Sequence, residues 1–155
     1  MSPNDLPGPT WTASEIQSCC SGDLHPLALK GIQFFNRELF FEAHEELELA
    51  WRDEPGPIRD LYRGILQVGL GYYHILRCNF PGGVKMFLRC RGWLAPYPNF
   101  CRGIDVERLR QDYQRAEIEL LRLGPERISE FNRALIRPVL VSPPTPNPEE
   151  THPHE

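Results

Sequence analysis

Ile58–Cys78 reads IRDLYRGILQVGLGYYHILRC, and its apolar residues, from Ile58, Leu61 and Ile65 round to Val68, Tyr72 and Ile75, cover most of a helix circumference. A helix clothed that way belongs at the centre of a helical protein, with other helices on several sides. The narrow stripe left over holds Asp60, Arg63, Gly64, Gln67, Gly71, His74 and Cys78. Gly64 and Gly71 are one heptad apart, as are Gln67 and His74. Each glycine costs roughly 1 kcal/mol relative to alanine inside a helix. The stripe is therefore expected where another backbone or a ligand comes close; the alternative is that it faces water.

Immediately upstream, Phe40–Arg52 (FFEAHEELELAWR) gives a second helix. At 100° per residue Phe40, Ala43, His44, Leu47, Ala50 and Trp51 share one arc, Glu48 sits at its border, and Glu45, Glu46 and Arg52 point away. An ionisable ring thus lies in an apolar stripe, and i to i+4 spacing lets His44 and Glu48 touch or grip a common ligand. Pro55-Gly56-Pro57 stops this helix. So short a connection predicts antiparallel packing on Ile58–Cys78, which brings His44 and Glu48 level with Gln67 or His74.

Working outward, Leu24–Phe35 repeats Ala28, Ile32 and Phe35 at helical spacing, with Pro26 tolerated in the first turn. Thr12-Ala-Ser-Glu15 fits a capping box for one short helix before Cys19. Downstream, Asn79–Gly83 turns the chain into a helix that carries Val84, Phe87, Leu88 and Leu94 inward, ended by Pro96-Tyr97-Pro98. A polar loop through Gly103 leads to Asp105, a good N-cap. Val106, Leu109, Tyr113, Ala116, Leu120 and Leu123 then form an apolar seam, a surface that could also bury against a second copy in a homodimer. Gly124-Pro125 closes it, and Ile128, Phe131 and Leu135 suggest a short final helix. The predicted fold is all-α: about five helices in a compact, mostly antiparallel bundle. Residues 1–23 form an N-terminal extension with one short helix, 24–137 a single helical domain and 138–155 a Pro-rich tail.

Composition narrows the function classes. Hydrophobic residues at 41% and charged residues at 25% of 155 are ordinary globular values,. A formal charge of −4 without a long basic run argues against nucleic acid,. No apolar run reaches the roughly 20 residues that span a bilayer, and the first residues carry no leader pattern; a cytoplasmic protein with no membrane association is expected. The five cysteines, Cys19, Cys20, Cys78, Cys90 and Cys101, are odd in number and lack CxxC spacing. They are read as free thiols, with no cysteine-held zinc.

Several segments together, FNRELFFEAHEELELAW, RGILQVGLGYYH, the asparagine turn at Asn79 and LAPYPNFCRGIDVERL, resemble the domain-of-unknown-function family 309, a family of small all-helical proteins. The resemblance covers about Leu27 to Leu121. It is carried by the HE-x-x-E-x-x-W core, His44-Glu45-Glu48-Trp51, and by Gly64, Ile65 and Gln67. One departure is Val84, where the family usually places a small residue. The resemblance implies a fold and a motif and brings no reaction, substrate or cofactor.

The chemistry therefore rests on the residues. Polar groups buried without partners cost roughly 1 to 3 kcal/mol each, so His44 is expected to be held by Glu48 and capped by Gln67, with His74, Trp51 and Arg63 nearby. That cluster reads first as a non-catalytic interaction or ligand-binding module for a protein or small ligand, with no cofactor. The alternative is a hydrolase-like enzyme centred on His44 and Glu48, either acid–base or dependent on a divalent metal held by His44, Glu45, Glu48 and His74. HE-x-x-E lacks the second histidine of a zincin, and the motif occurs once where a bundle di-iron site wants two. Arg52, Arg59 and Arg63 could form a small anion site, although ion pairs with Glu48, Glu54 or Asp60 are the more ordinary use.

Overall fold

The computed structural model describes residues 11–142, among which lie six α-helices and a two-stranded hairpin. The proline-rich stretches at both extremes, with His152 and His154, lie outside the described residues. The helices are α1 (Ala13–Cys19), α2 (Pro26–Asn36), α3 (Phe40–Asp53), α4 (Arg59–Leu76), α5 (Phe80–Leu94) and α6 (Val106–Arg127). Their starts follow the expected local chemistry. Thr12 and Glu15 close a reciprocal capping box on α1, Pro26 and Pro81 occupy first turns, and the Asp105 carboxylate accepts from Arg108 N at 2.9 Å,.

Helix α4 is the central element, packed against both α3 and α5. Gly64 and Gly71 face α5 and not water: a methyl group added at Gly71 would sit 2.5 Å from Phe87 Cε1, and one at Gly64 would sit 2.6 Å from Leu94 Cδ2. Tyr72, fully buried, joins the layers. Its ring lies 5.9 Å from Phe35, 5.7 Å from Phe40 and 6.0 Å from Phe87, and Phe87 stacks on Tyr113 of α6 at 6.1 Å. These are the separations at which aromatic pairs add attraction beyond their burial.

Several expectations need correction. Leu88 does not point inward but is 57% exposed, because Phe87 and Cys90 take the inner face of α5. The seam from Val106 to Leu123 is buried within this chain, so a second copy would have to use other residues. The loop before Asp105 is a hairpin, β1 (Phe100–Cys101) with β2 (Ile104–Asp105), turned at Arg102 and Gly103, both at positive φ as a two-residue hairpin turn demands,. The short final helix is instead two 3-10 turns, Ile128–Glu130 and Arg133–Leu135.

Packing continues past Pro138. Val139 is buried, and its backbone exchanges two hydrogen bonds with the Asn36 side chain, at 2.8 and 2.9 Å. Beyond it Asp105 N donates to Leu140 O and Ser142 N to Gly103 O, laying the chain along the hairpin.

The free-thiol reading fails for one pair. Cys20 and Cys101 form a disulfide across 81 residues of sequence, while Cys19, Cys78 and Cys90 are free. The approach is set by backbone pairing, Arg102 N to Cys20 O at 2.8 Å, which seats the end of α1 on the hairpin. Linear spacing carries no trace of such a contact. No described helix is long and apolar enough to cross a membrane.

Candidate functional site

Helices α3, α4 and α5 enclose a pocket of about 210 Å³ lined by His44, Glu48, Arg63, Leu66, Gln67, Leu70, Met86 and Arg89. Three placements create it. His44 and Glu48 lie on the flank of α3 whose inner face is Ala43, Leu47 and Ala50. Arg63 and Gln67 are four residues apart on α4 and so share a face. Met86 and Arg89, three apart on α5, close the third side.

The polar geometry is asymmetric. His44 Nε2 stands 3.3 Å from a Glu48 carboxylate oxygen, and the other oxygen of that carboxylate accepts from Arg52 Nη2 at 2.7 Å. His44 Nδ1 is buried and finds no hydrogen-bond partner among the described residues. Gln67, only 3% exposed, has its Oε1 in the same condition. An acceptor buried without a donor costs on the order of 1 to 3 kcal/mol. Both residues line the pocket.

The cationic wall is braced by an aromatic. The Trp51 indole is flanked by the Arg59 and Arg63 guanidinium carbons at 4.5 and 4.8 Å from its ring centre, and Arg59 Nε donates to Trp51 O at 3.2 Å. Such contacts fix the direction of an arginine at modest energy. Arg63 thus faces the pocket with Trp51 behind it. Neither Arg63 nor Arg89 is free of other interactions, but a guanidinium offers five donors and can serve more than one acceptor.

The sequence-predicted residues divide. His44, Glu48, Gln67 and Arg63 come together on the pocket, and Trp51 supports it from the side. The expected Gln67 cap on His44 does not form, since both atoms remain unmatched. His74 is not at the site. It follows Gln67 by about two helical turns, contacts the Asn79 amide through Nδ1 at 3.2 Å, and is held below the ordinary imidazole pKa by burial, Arg77 and Lys85. The proposed metal set His44, Glu45, Glu48 and His74 is consequently not assembled. Glu45 is exposed, and among the described residues the donor cluster of ligating dimensions is Cys19, Cys20 and Cys101, whose sulfurs lie within 4.8 Å of one another.

Met86 and Arg89 were not anticipated as lining residues. Their signal was present but indirect: the glycine stripe of α4 implied that the next helix approaches closely, and Met86 and Arg89 share the i, i+3 face that such an approach presents.

Residues 28–86 match the family described as Domain of unknown function (DUF309). The match is shorter than the resemblance from Leu27 to Leu121; it includes His44, Glu48, Arg63, Gln67 and Met86, and ends before Arg89. No curated protein and no solved structure matches the chain.

Proposed function

We propose that this chain, whose residues 28–86 match the DUF309 family, is a non-catalytic module that binds a small anionic molecule carrying a hydrogen-bond donor. The observation behind this reading is Gln67, a buried residue that lines the pocket and whose Oε1 has no hydrogen-bond partner among the described residues. A carbonyl oxygen there calls for an N–H or O–H from the occupant. Arg63 and Arg89 on the flanking walls favour a carboxylate or phosphate at the other end, where charge-assisted bonds are strongest. At about 210 Å³ the space is below the roughly 300–1,000 Å³ of drug-sized sites,, which suits a molecule the size of a 2-hydroxy or 2-amino acid.

Thermal shift and calorimetric titration with a panel of short 2-hydroxy acids, 2-amino acids and inorganic phosphate test this reading. A stabilising member is expected to lose its effect in Gln67→Leu, an apolar replacement of similar size. A panel with no effect, or an effect that survives Gln67→Leu, overturns it.

A second reading, an acid–base enzyme, draws on the same pair. The Glu48 carboxylate lies 3.3 Å from His44 Nε2, and Nδ1 has no hydrogen-bond partner among the described residues, a neighbourhood that could orient a base. Conversion of a bound acid by the wild-type chain, abolished in His44→Gln with binding retained, would establish it over the first.

A further inference from the structure

Outside the matched family segment, three sulfurs converge where α1 meets the hairpin. Cys19, Cys20 and Cys101 place their Sγ atoms within 4.8 Å of one another. One is buried and two are half-buried. The disulfide joins Cys20 to Cys101 and leaves Cys19 as a thiol beside it. What holds the cluster is not only that bond. Arg102 donates from its backbone N to Cys20 O at 2.8 Å, from Nε to Cys19 O at 2.7 Å and from Nη1 to Asp23 O at 2.8 Å. Gly103, the other turn residue, accepts from Ser142 N at 2.8 Å. The Arg102 bonds thus link α1 to the hairpin independently of the sulfur bridge.

We propose that the reduced chain binds one copper(I) ion through the thiolates of Cys19, Cys20 and Cys101, and that the Cys20–Cys101 disulfide is the closed, metal-refusing state of the same site. Opening takes a two-electron reductant such as a dithiol. Its two thiols give two electrons and two protons to the protein S–S bond, which becomes two thiols, while the reductant leaves as its own disulfide. Metal binding then releases the thiol protons to solvent. Soft thiolates select copper(I) or zinc among the common cations. Zinc asks for a fourth ligand; among the described residues no histidine or carboxylate joins the three sulfurs, and three-coordinate sulfur is an ordinary copper(I) geometry. The Arg102 guanidinium, fixed on the Cys19 and Asp23 carbonyls, offsets the net negative charge of a three-thiolate complex.

The test uses the full chain carrying Cys78→Ser, which removes the exposed competing thiol. Phosphine-reduced protein is titrated anaerobically with copper(I) against a coloured copper(I) chelator. One equivalent is expected to transfer to the protein, with thiolate-to-copper charge-transfer absorption in the ultraviolet. Untreated, disulfide-bonded protein is expected to take none, and Cys19→Ser, which keeps the disulfide and hence the oxidised fold, is expected to lose stoichiometric uptake after reduction. Circular dichroism of the reduced forms separates loss of the site from loss of the fold. Equal uptake by oxidised and reduced protein, undiminished uptake by folded Cys19→Ser, or displacement of the copper by equimolar zinc(II) overturns the proposal.

Discussion

The Glu48 carboxylate lies 3.3 Å from His44 Nε2, one helical turn away. It is also the acceptor for Arg52, so three consecutive positions of one stripe, His44, Glu48 and Arg52, share a single carboxylate. The side chains of His44 and Glu48 are 25% and 28% exposed, and pairs so open to water are worth under about 1 kcal/mol. Glu48→Gln should accordingly lower unfolding stability by no more than about 1 kcal/mol in denaturant titration. A loss of several kcal/mol would mean that the pair holds the bundle together and that orienting His44 is secondary.

Gln67 makes the opposite case. Its buried Oε1 is unmatched, so Gln67→Leu removes an uncompensated polar group and should leave the protein as stable or raise its unfolding free energy by about 1 kcal/mol,. Tyr72→Phe offers the internal comparison, since the Tyr72 hydroxyl is likewise buried and unmatched, at a position away from the pocket. Both variants should be neutral to stabilising by thermal and denaturant unfolding, and only Gln67→Leu should abolish the response to a bound acid. Marked destabilisation by Gln67→Leu would assign the side chain to structure.

Close approach of α4 and α5 leaves no room for a methyl group at Gly71. The added Cβ would meet Phe87 Cε1 at 2.5 Å and Cζ at 2.8 Å, and that ring is fixed between Tyr72 and Tyr113. Gly71→Ala should cost about 1–3 kcal/mol from overpacking, against the gain of up to about 1 kcal/mol in helix propensity. Gly64→Ala meets Leu94 at Cδ2 and Cγ, at 2.6 and 2.9 Å, and should likewise destabilise the packing,. Equal and negligible effects in equilibrium unfolding would show the helices to be farther apart than described.

How much of this was legible follows from the range of each signal. Local signals read well: the capping box at Thr12, Pro26 in a first turn, Asp105 as a cap, and the period of Ile58–Cys78 that put α4 at the centre. The glycine stripe even pointed to a close neighbour. Legibility ended where two distant segments decide the matter. Ser142 on Gly103, Val139 on Asn36 and Cys101 on Cys20 join residues 39, 103 and 81 positions apart, and nothing in a linear pattern registers them. At the site, helical phase brought His44, Glu48 and Gln67 to one place but could not decide whether their polar atoms meet. His74 shares the phase of Gln67, yet about two turns of rise carry it to the end of α4 and to Asn79.

That displaced histidine gives the fold a pH dependence of known sign. Burial first, then the charges of Arg77 and Lys85, hold the His74 imidazole below its ordinary pKa of 6.5. The Asn79 amide beside Nδ1 at 3.2 Å suits a neutral ring that accepts a hydrogen bond there. In the unfolded chain the ring takes up a proton at the ordinary value while the folded chain resists, so the unfolded state binds more protons below pH 6.5,. Stability should therefore be unaffected by this group at neutral pH and above. It should decline as the pH falls through 6.5, and the decline should stop once the folded-state pKa has been passed. Denaturant midpoints taken between about pH 7.5 and 5.5 should fall in the wild-type chain and fall less in His74→Gln, which cannot titrate. Identical slopes for the two chains would remove His74 as the source of any acid sensitivity.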